Sequence, residues 1–205
     1  MIKAINKRSE FLFPTQYVAG EIPDFDQIQE KLIKWVYKYK EENKDIARIS
    51  NKGGWQSQKK DVYQDAGFQQ FHNIIFPLIS ELLSEFQITL QADLVQMWIN
   101  INGKGAYNVS HRHPLADFSG VIWIKQSPEQ GRFIFDNMDV GYRDCSSLYF
   151  MNRDYLISKK MLPEWCPDYK DGTIIIFPAM FSHRVEQNET DEDRISISFN
   201  IKLKY

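Results

Sequence analysis

The spacing of apolar residues divides the chain into two parts. Up to about residue 86, apolar side chains recur every three or four positions in two stretches, 23–44 and 67–86. This period is typical of amphipathic helices. From about residue 87 the period changes to two, in short runs separated by turn residues: 88–103, 119–127, 132–136, 172–179 and 194–204. These runs predict strands.

The order of these elements predicts the class of fold. Helices followed by strands indicate an α+β protein that is mainly β, and not alternating βαβ units. Many short strands suggest a barrel or jelly roll, whose mouth can hold a small ligand. Within this plan, Pro77 predicts a kink or a split in the second helix. Residues 50–61 look like a Gly-rich loop, and residues 137–171 are expected to include a lid-like loop.

Length and composition describe an ordinary globular protein. We expect a single domain, 1–205, with a helical support region over about residues 1–90 and a jelly-roll core over about 91–205. A formal net charge of −2 gives no electrostatic reason to expect nucleic acid or an anionic membrane as a partner. The chain shows no long apolar stretch, so we expect neither a secretory signal nor a membrane span. A cytoplasmic location follows, with Cys145 and Cys166 as free thiols, although a disulfide between them stays open.

Three of the four histidines form a candidate metal site. His111 and His113 are two positions apart, and in a strand such residues point to the same side. Imidazole is a ligand for Fe, Zn, Cu and Ni. His183 is expected to supply a third imidazole, because residues 172–178 and 182–186 look like adjacent strands that turn at Pro178. The combination favours a metal over purely structural histidines, and the fourth histidine is assigned no role.

The last strand carries a second candidate site. Its residues alternate, so that one face is apolar and the other holds Arg194, Ser196, Ser198 and Asn200. The apolar face is expected to pack on the two helices, and the polar face would then point into the barrel. A guanidinium buried there needs a partner. A ligand carboxylate fits, with Ser196 adding a hydrogen bond. The alternation alone leaves open the simpler possibility that the polar face lies in water.

Taken in order along the chain, these motifs resemble the Fe(II)- and 2-oxoglutarate-dependent oxygenases. The likeness rests on four segments: GAYNVSHRHP, SGVIWI, GTIIIFPAMFSHRV and RISISFN. The opening FLFPTQYVAGEI and the loop SNKGGWQS extend it over most of the chain, and they are most similar to a group from bacteria and their phages. Each motif alone is weak. Their order is specific: a histidine pair, a distal histidine, and Arg-x-Ser about ten residues later.

The resemblance implies a fold, an activity and its cofactors. The fold would be a double-stranded β-helix, a form of jelly roll, with the N-terminal helices packed on one sheet. The activity would be that of an oxidoreductase, a dioxygenase that uses Fe(II), O2 and 2-oxoglutarate as cosubstrate. Such an enzyme hydroxylates a substrate and releases succinate and CO2. The substrate, a small molecule or a peptidyl residue, is not indicated by the sequence.

The resemblance also implies roles for particular residues. His111 and His183 match two metal ligands. Arg194 and Ser196 match the pair that binds the distal carboxylate of 2-oxoglutarate. Three weaker assignments are added, and no catalytic residue beyond the metal ligands is implied. The weaker assignments are two cosubstrate contacts and one substrate-side residue: Asn100, Trp123 and Tyr107.

One position departs from the family pattern. The usual iron site has two histidines and one carboxylate, written H-x-D or H-x-E. Here His113 holds the carboxylate position. Three completions are open: a three-histidine site, Asp117 as the acidic ligand, or two histidines with water. The spacing of His111 and His113 favours the three-histidine site.

Two other functions fit the same residues. Residues 105–117 read G-x5-H-x-H-x3-D and residues 172–183 read G-x5-P-x-M-x2-H, close to two cupin motifs. A cupin-type metalloenzyme would use Asp117 as a further ligand and would not use 2-oxoglutarate, but it leaves the Arg-x-Ser strand without a task. A non-catalytic jelly-roll binding protein is less favoured. Three imidazoles converging without a metal would repel one another on protonation.

Overall fold

A computed structural model describes residues 15–58, 60–136, 153–158 and 162–204. Among these residues lie three α-helices: α1 (Phe25–Glu42), α2 (Gln69–Ser84) and α3 (Arg153–Ser158). Short 3-10 turns cover Val62–Gln64 and Pro128–Gln130. The two long helices match the predicted amphipathic stretches. None of the described helices combines the length and the hydrophobicity that a bilayer crossing needs.

The strands make up most of the described chain. In sequence order they are β1 (Val18–Glu21), β2 (Asn51–Lys52), β3 (Trp55–Gln56), β4 (Gln91–Asn102), β5 (Tyr107–His111), β6 (Phe118–Lys125), β7 (Phe133–Asp136), β8 (Glu164–Trp165), β9 (Thr173–Pro178), β10 (His183–Val185) and β11 (Arg194–Lys204). All five predicted runs are strands.

Two antiparallel sheets form a jelly roll. The six-stranded sheet has the order β1-β9-β6-β11-β4-β3, and the five-stranded sheet has the order β2-β5-β10-β7-β8. Strands that follow one another in sequence lie in opposite sheets at several points, as in a double-stranded β-helix. The predicted α+β, mainly β fold is therefore confirmed. The predicted position of the helices is confirmed too, because α1 and α2 pack on one face of the six-stranded sheet.

The alternation of β11 explains how one sheet serves two environments. Its apolar residues join a buried core with Leu32 and Trp35 of α1 and with Phe71 and Ile75 of α2. Its polar residues face the space between the two sheets, where Arg194, Ser196 and Ser198 line a cavity. A second apolar cluster fills the space between the two sheets, with residues from β6 and β9 of one sheet and from β7 of the other: Val121, Trp123, Phe133, Phe135, Ile175 and Phe177.

Several local predictions are corrected by the structure. Residues 50–61 are not simply a loop: β2 and β3 flank Gly53 and Gly54, and the two strands join different sheets. Gly53 has φ +76, a left-handed conformation that glycine adopts without strain. Helix α2 runs unbroken through Pro77, so the predicted split does not occur.

The predicted pairing of the strands around Pro178 is also wrong. β9 pairs with β1 and β6, whereas β10 pairs with β5 and β7 in the opposite sheet. The turn after Pro178 therefore carries the chain from one sheet to the other. Of the expected lid-like segment, residues 137–152 and 159–161 lie outside the described residues, and so does Cys145. Cys166 is a free thiol.

Candidate functional site

The three predicted histidines meet at one end of the five-stranded sheet. His111 is the last residue of β5 and His183 is the first residue of β10, and the two lie directly opposite each other in the antiparallel ladder. His113 lies two residues beyond the end of β5. Its backbone N–H donates to the carbonyl of Ala179 at 2.9 Å, which fixes the turn that carries it. A strand pairing and a turn contact thus position the three rings, and not strand alternation alone.

The ring nitrogens converge as ligand atoms do. One nitrogen from each histidine lies within 4.8 Å of the other two, and the Nε2 atoms of His113 and His183 are 3.4 Å apart. The Nδ1 atom of His111 is 2.8 Å from the carbonyl oxygen of Val109, and Nδ1 of His183 is 3.0 Å from that of Phe181. A carbonyl oxygen only accepts, so each Nδ1 carries the proton and each Nε2 keeps its lone pair.

Burial keeps these imidazoles neutral. It lowers the pKa of all three rings: that of His113 falls to about 4, and that of His183 falls well below its usual range. The charges of neighbouring rings add to the effect on His113 and His183. Neutral imidazole is the form that binds a metal. Three converging imidazole nitrogens, two of which present a lone pair toward the common centre, fit a divalent transition metal such as Fe(II).

Asp117 is placed elsewhere. Its Oδ2 accepts from the backbone N–H of Leu203 at 2.8 Å and lies 3.9 Å from the ammonium of Lys202. Among the described residues the ligand cluster contains the three histidines and no carboxylate. The structure therefore does not bring the alternative ligand to the histidines, and it supplies a different task for it, at the end of β11.

Arg194 lies at the other end of the same cavity and is 4% exposed. Its Nη1 donates to the carbonyls of Gln130 and Gly131, at 3.2 and 3.1 Å. Within the described part of the chain, none of the ion pairs includes it. Burial lowers its pKa to about 10, so the guanidinium stays charged. A buried charge without a counterion is costly, and the carboxylate of a ligand would remove that cost.

Polar side chains line the cavity between the histidines and Arg194. Ser196 is nearly buried beside Arg194. Asn100 Nδ2 donates to Ser198 Oγ at 3.1 Å, while its Oδ1 is buried and meets no donor among the described residues. Such an atom is satisfied when a ligand or water occupies the cavity. The other cavity-lining residues include Ser50, Trp98, Asn108, Ser119, Val121, Trp123, Phe133, Phe177 and Val185.

Trp123 and Tyr107 were both named as candidates from the sequence, but only Trp123 lines the cavity. Trp123 is 2% exposed, lines the cavity and lies in register with Ser196 on the neighbouring strand. Tyr107 is 39% exposed and does not line the cavity, whereas its neighbour Asn108 does. Alternation along β5 explains this, because consecutive side chains point to opposite sides. Tyr107 therefore lies outside this cavity, and its assignment to the substrate side stays a prediction.

Sequence reasoning missed two features of the site. Tyr169 stacks on Trp123 with ring centroids 4.0 Å apart, and its hydroxyl accepts from the backbone N–H of Phe133 at 2.7 Å. Burial raises the pKa of Tyr169, so the phenol is neutral. It lies in an irregular segment without periodicity, and the only available signal was its closeness to the GTIIIFP strand.

The second missed feature is a polar network behind the histidines. The carboxylate of Asp136, which is 4% exposed, accepts from Ser110 Oγ at 2.5 Å and from the guanidinium of Arg184. Ser110 Oγ lies 2.9 Å from Ser182 Oγ. The two serines directly precede His111 and His183, so the network ties together the two strands that carry the metal-site histidines. An isolated Asp at the end of β7 gives no sequence signal for this role.

Fold and site together define a double-stranded β-helix protein with a candidate metal centre. The sequence model of the family described as "Putative 2OG-Fe(II) oxygenase" matches residues 96–200, just over half of the chain. The chain therefore belongs to the 2OG-Fe(II) oxygenase family, whose members use Fe(II) and 2-oxoglutarate. No curated protein sequence matches the chain.

Solved structures agree on the fold. A prolyl-4-hydroxylase from Pseudomonas putida has a TM-score of 0.64 at 13% identity, over 93% of this chain and 94% of that one. HygX from Streptomyces hygroscopicus, with nickel and 2-oxoglutarate bound, has a TM-score of 0.61 at 11% identity, over 93% and 84%. SnoK, an α-ketoglutarate-dependent carbocyclase from nogalamycin biosynthesis, has a TM-score of 0.66 at 10% identity, over 93% and 80%. Identities this low establish the shared architecture alone.

Proposed function

We propose that this protein is an Fe(II)- and 2-oxoglutarate-dependent dioxygenase that hydroxylates its substrate, with iron held by His111, His113 and His183. Arg194 and Ser196 would bind the distal carboxylate of 2-oxoglutarate, and Asn100 and Trp123 would line its pocket. The observation that carries the proposal is the buried guanidinium of Arg194, which shares one cavity with the three imidazoles and has no carboxylate partner among the described residues.

The chain's own residues would bind the metal, orient the cosubstrate and exclude water. Bound Fe(II) and 2-oxoglutarate supply the oxidising chemistry, in which a substrate C–H, O2 and 2-oxoglutarate become C–OH, succinate and CO2. The carbonyls of Val109 and Phe181 hold the imidazoles of His111 and His183 in the tautomer that a metal needs. The guanidinium of Arg194 would bind the distal carboxylate of the cosubstrate through its charge and through directed hydrogen bonds. The stacked Trp123 and Tyr169 would shield that end of the cavity from water.

The cupin-type alternative is less well supported. It needs Asp117 beside the histidines, and that carboxylate instead bonds to the backbone of Leu203. It also leaves the buried Arg194 without a counterion. A non-catalytic binding module would not explain why carbonyl contacts turn two of the imidazole lone pairs toward a common centre. We propose further that residues 1–205 form one domain, with the helical region as support, and that the protein is cytoplasmic.

Anaerobic equilibrium dialysis tests the proposed function without knowledge of the substrate. We expect about one 2-oxoglutarate bound per chain when Fe(II) is present, and weaker binding without Fe(II). Admission of O2 should then release succinate by slow uncoupled turnover. Fe(II) bound without any measurable 2-oxoglutarate would reject the oxygenase and favour the cupin alternative. Binding of neither would reject both metalloenzymes.

A further inference from the structure

A lysine that does not itself line the cavity lies against Trp98, one of the residues that do. Lys60 follows β3, and its backbone carbonyl accepts from the N–H of Met97 at 2.7 Å, which holds it along the edge of β4. Its ammonium lies 4.2 Å from the centroid of the Trp98 ring. Trp98 lines the cavity, and its ring centroid is 5.5 Å from that of His113. Trp98 therefore connects the ammonium to the proposed metal site.

Lys60 has little to balance its charge. No ion pair within the described ranges includes it. The cation–π contact with Trp98 is one compensation, and the side-chain amide of Gln56 is another, because its oxygen accepts from the ammonium at 3.1 Å once the amide is turned to satisfy its neighbours. Burial lowers the pKa of Lys60 to about 8, so it remains mostly protonated near neutral pH. A partly desolvated cation of this kind is stabilised when an anion approaches it.

The whole site shares this excess of positive charge. Among the described residues that line the cavity there is no Asp or Glu, and the one ionised side chain is Arg194. The position that a carboxylate occupies in the usual iron site holds His113. Because the charges of Fe(II) and 2-oxoglutarate cancel, the charges of Arg194 and Lys60 would remain. Water-poor walls strengthen the attraction of such a site for a further anion.

Exposed apolar side chains lie close to His113 along the chain. Leu115, two residues beyond His113, is 82% exposed, and Met180, which follows the residue whose carbonyl binds His113, is 52% exposed. An organic molecule that approaches the histidines would meet this apolar surface, and the positive charge of the site would favour one with a negative group.

We propose that the substrate is an organic anion whose carboxylate or phosphate group binds the ammonium of Lys60 beside Trp98, while its apolar part packs against the cavity wall that Trp98 forms. This inference rests on the proposed function, since it assigns a substrate class to the same site. It makes Lys60 a substrate-binding residue, distinct from Arg194, which would hold the cosubstrate.

The test is a binding comparison with matched probes. The protein is loaded with Ni(II) and isotopically labelled 2-oxoglutarate, so that no turnover occurs and displacement of the cosubstrate is visible. Calorimetry then measures phenylacetate against phenylacetamide, benzyl phosphate against benzyl alcohol, and the cation 2-phenylethylamine. We expect the anionic member of at least one pair to bind about tenfold more tightly than its neutral partner, without releasing label. The pair with the larger ratio distinguishes a carboxylate from a phosphate substrate.

Variants assign the preference to Lys60. K60Q removes the charge at similar length and should bring the ratio close to one, while K60R should keep most of it. K52Q is the matched control, because Lys52 is an exposed lysine of the neighbouring strand β2 that pairs with Tyr107, at the opposite end of β5 from His111.

Three results would overturn the inference: equal binding of neutral and anionic probes, an unchanged ratio in K60Q, or no binding of any anion up to about 10 mM. Failure of the labelled 2-oxoglutarate to bind at the start would instead count against the proposed function.

Discussion

The two ends of the cavity are built in different ways. The histidine end lies on the five-stranded sheet, where His111 and His183 occupy strand ends and His113 lies in a turn. Its ring nitrogens are neutral, and two of the three residues are only partly buried. The Arg194 end lies on β11, between β4 and β6 in the six-stranded sheet, and the guanidinium of Arg194 provides a buried permanent charge there. One end offers lone pairs near the opening, and the other offers a fixed cation in the interior.

This difference indicates a division of labour. Strand ends and turns can present several ligands toward one point that remains accessible, which suits a metal that must also meet a substrate. A long strand with a neighbour on each side holds a single side chain rigidly, which suits recognition of one carboxylate. We therefore expect substitutions at the histidine end to weaken metal binding, and substitutions at the Arg194 end to weaken 2-oxoglutarate binding. The following experiments test that separation.

The largest effect is expected for His183→Ala. Removing a directly coordinating imidazole should lower Fe(II) affinity by more than about 100-fold, because even outer contacts to metal ligands cost 10–100-fold. Anaerobic titration with metal analysis measures it. His72→Ala is the matched control, since His72 stacks on Phe76 in α2 and should bind no metal. Unchanged iron content in the His183 variant would remove this residue from the site.

Arg194→Ala tests the opposite end. Loss of a buried charge partner should weaken 2-oxoglutarate binding by roughly 3 kcal/mol, or about 100-fold, while Fe(II) affinity changes little. Arg194→Lys should recover part of the loss, because it restores charge but not the forked geometry. Arg132→Ala, which removes an exposed ion pair with Glu186, is the control. Equal cosubstrate affinity in both alanine variants would refute the pocket assignment.

The sequence predicted these two ends unequally. The alternation of β11 correctly separated its helix-packing face from its cavity face, because one period governs all its residues. The convergence of the histidines was also anticipated, but for a partly wrong reason, since β9 and β10 lie in different sheets. Strand order depends on contacts between distant residues, and local periodicity does not encode it.

The remaining site residues could not be predicted for a related reason. Lys60, Asp136 and Tyr169 each lie in a short or irregular segment, and each acts through a partner more than 25 residues away in the sequence: Trp98, Ser110 and Trp123 respectively. Nothing in the local pattern marks such residues. Tyr107 illustrates the same limit, because closeness to His111 in sequence does not show whether a side chain lines the cavity.

Acid should destabilise the metal-free protein through the histidine end. The pKa of His113 falls from 6.5 to about 4 on folding. Between these two pH values the imidazole is therefore protonated in the unfolded chain and neutral in the folded chain. Stability is therefore lost as pH falls from 6.5 to about 4, by about 3 kcal/mol for this residue. Urea unfolding at pH 7.5 and 4.5 measures the loss, and His113→Gln should show a smaller one. Identical pH dependence in both proteins would contradict the neutral, buried state of this imidazole.

A smaller effect on the metal is expected from Asp136→Asn. The amide keeps the shape of the side chain but weakens the contacts to Arg184 and to Ser110, which precedes His111. We expect Fe(II) affinity to fall by about tenfold, with 2-oxoglutarate affinity unchanged once iron is saturating. Glu164→Gln is the control, since Glu164 binds the same guanidinium from an exposed position. A loss of stability without any change in iron affinity would make the network structural only.

The smallest effect on the metal separates the two metalloenzyme functions. Asp117→Ala removes the carboxylate that accepts from the Leu203 N–H, and this should cost about 1–2 kcal/mol of stability because a partly buried donor loses its partner. Fe(II) and 2-oxoglutarate affinities should stay within about twofold of wild type, since the histidines alone would hold the metal. Metal analysis of the purified variant, with urea unfolding alongside, measures both quantities. Substantial loss of iron would instead place Asp117 in the metal site, which would then consist of histidines and a carboxylate.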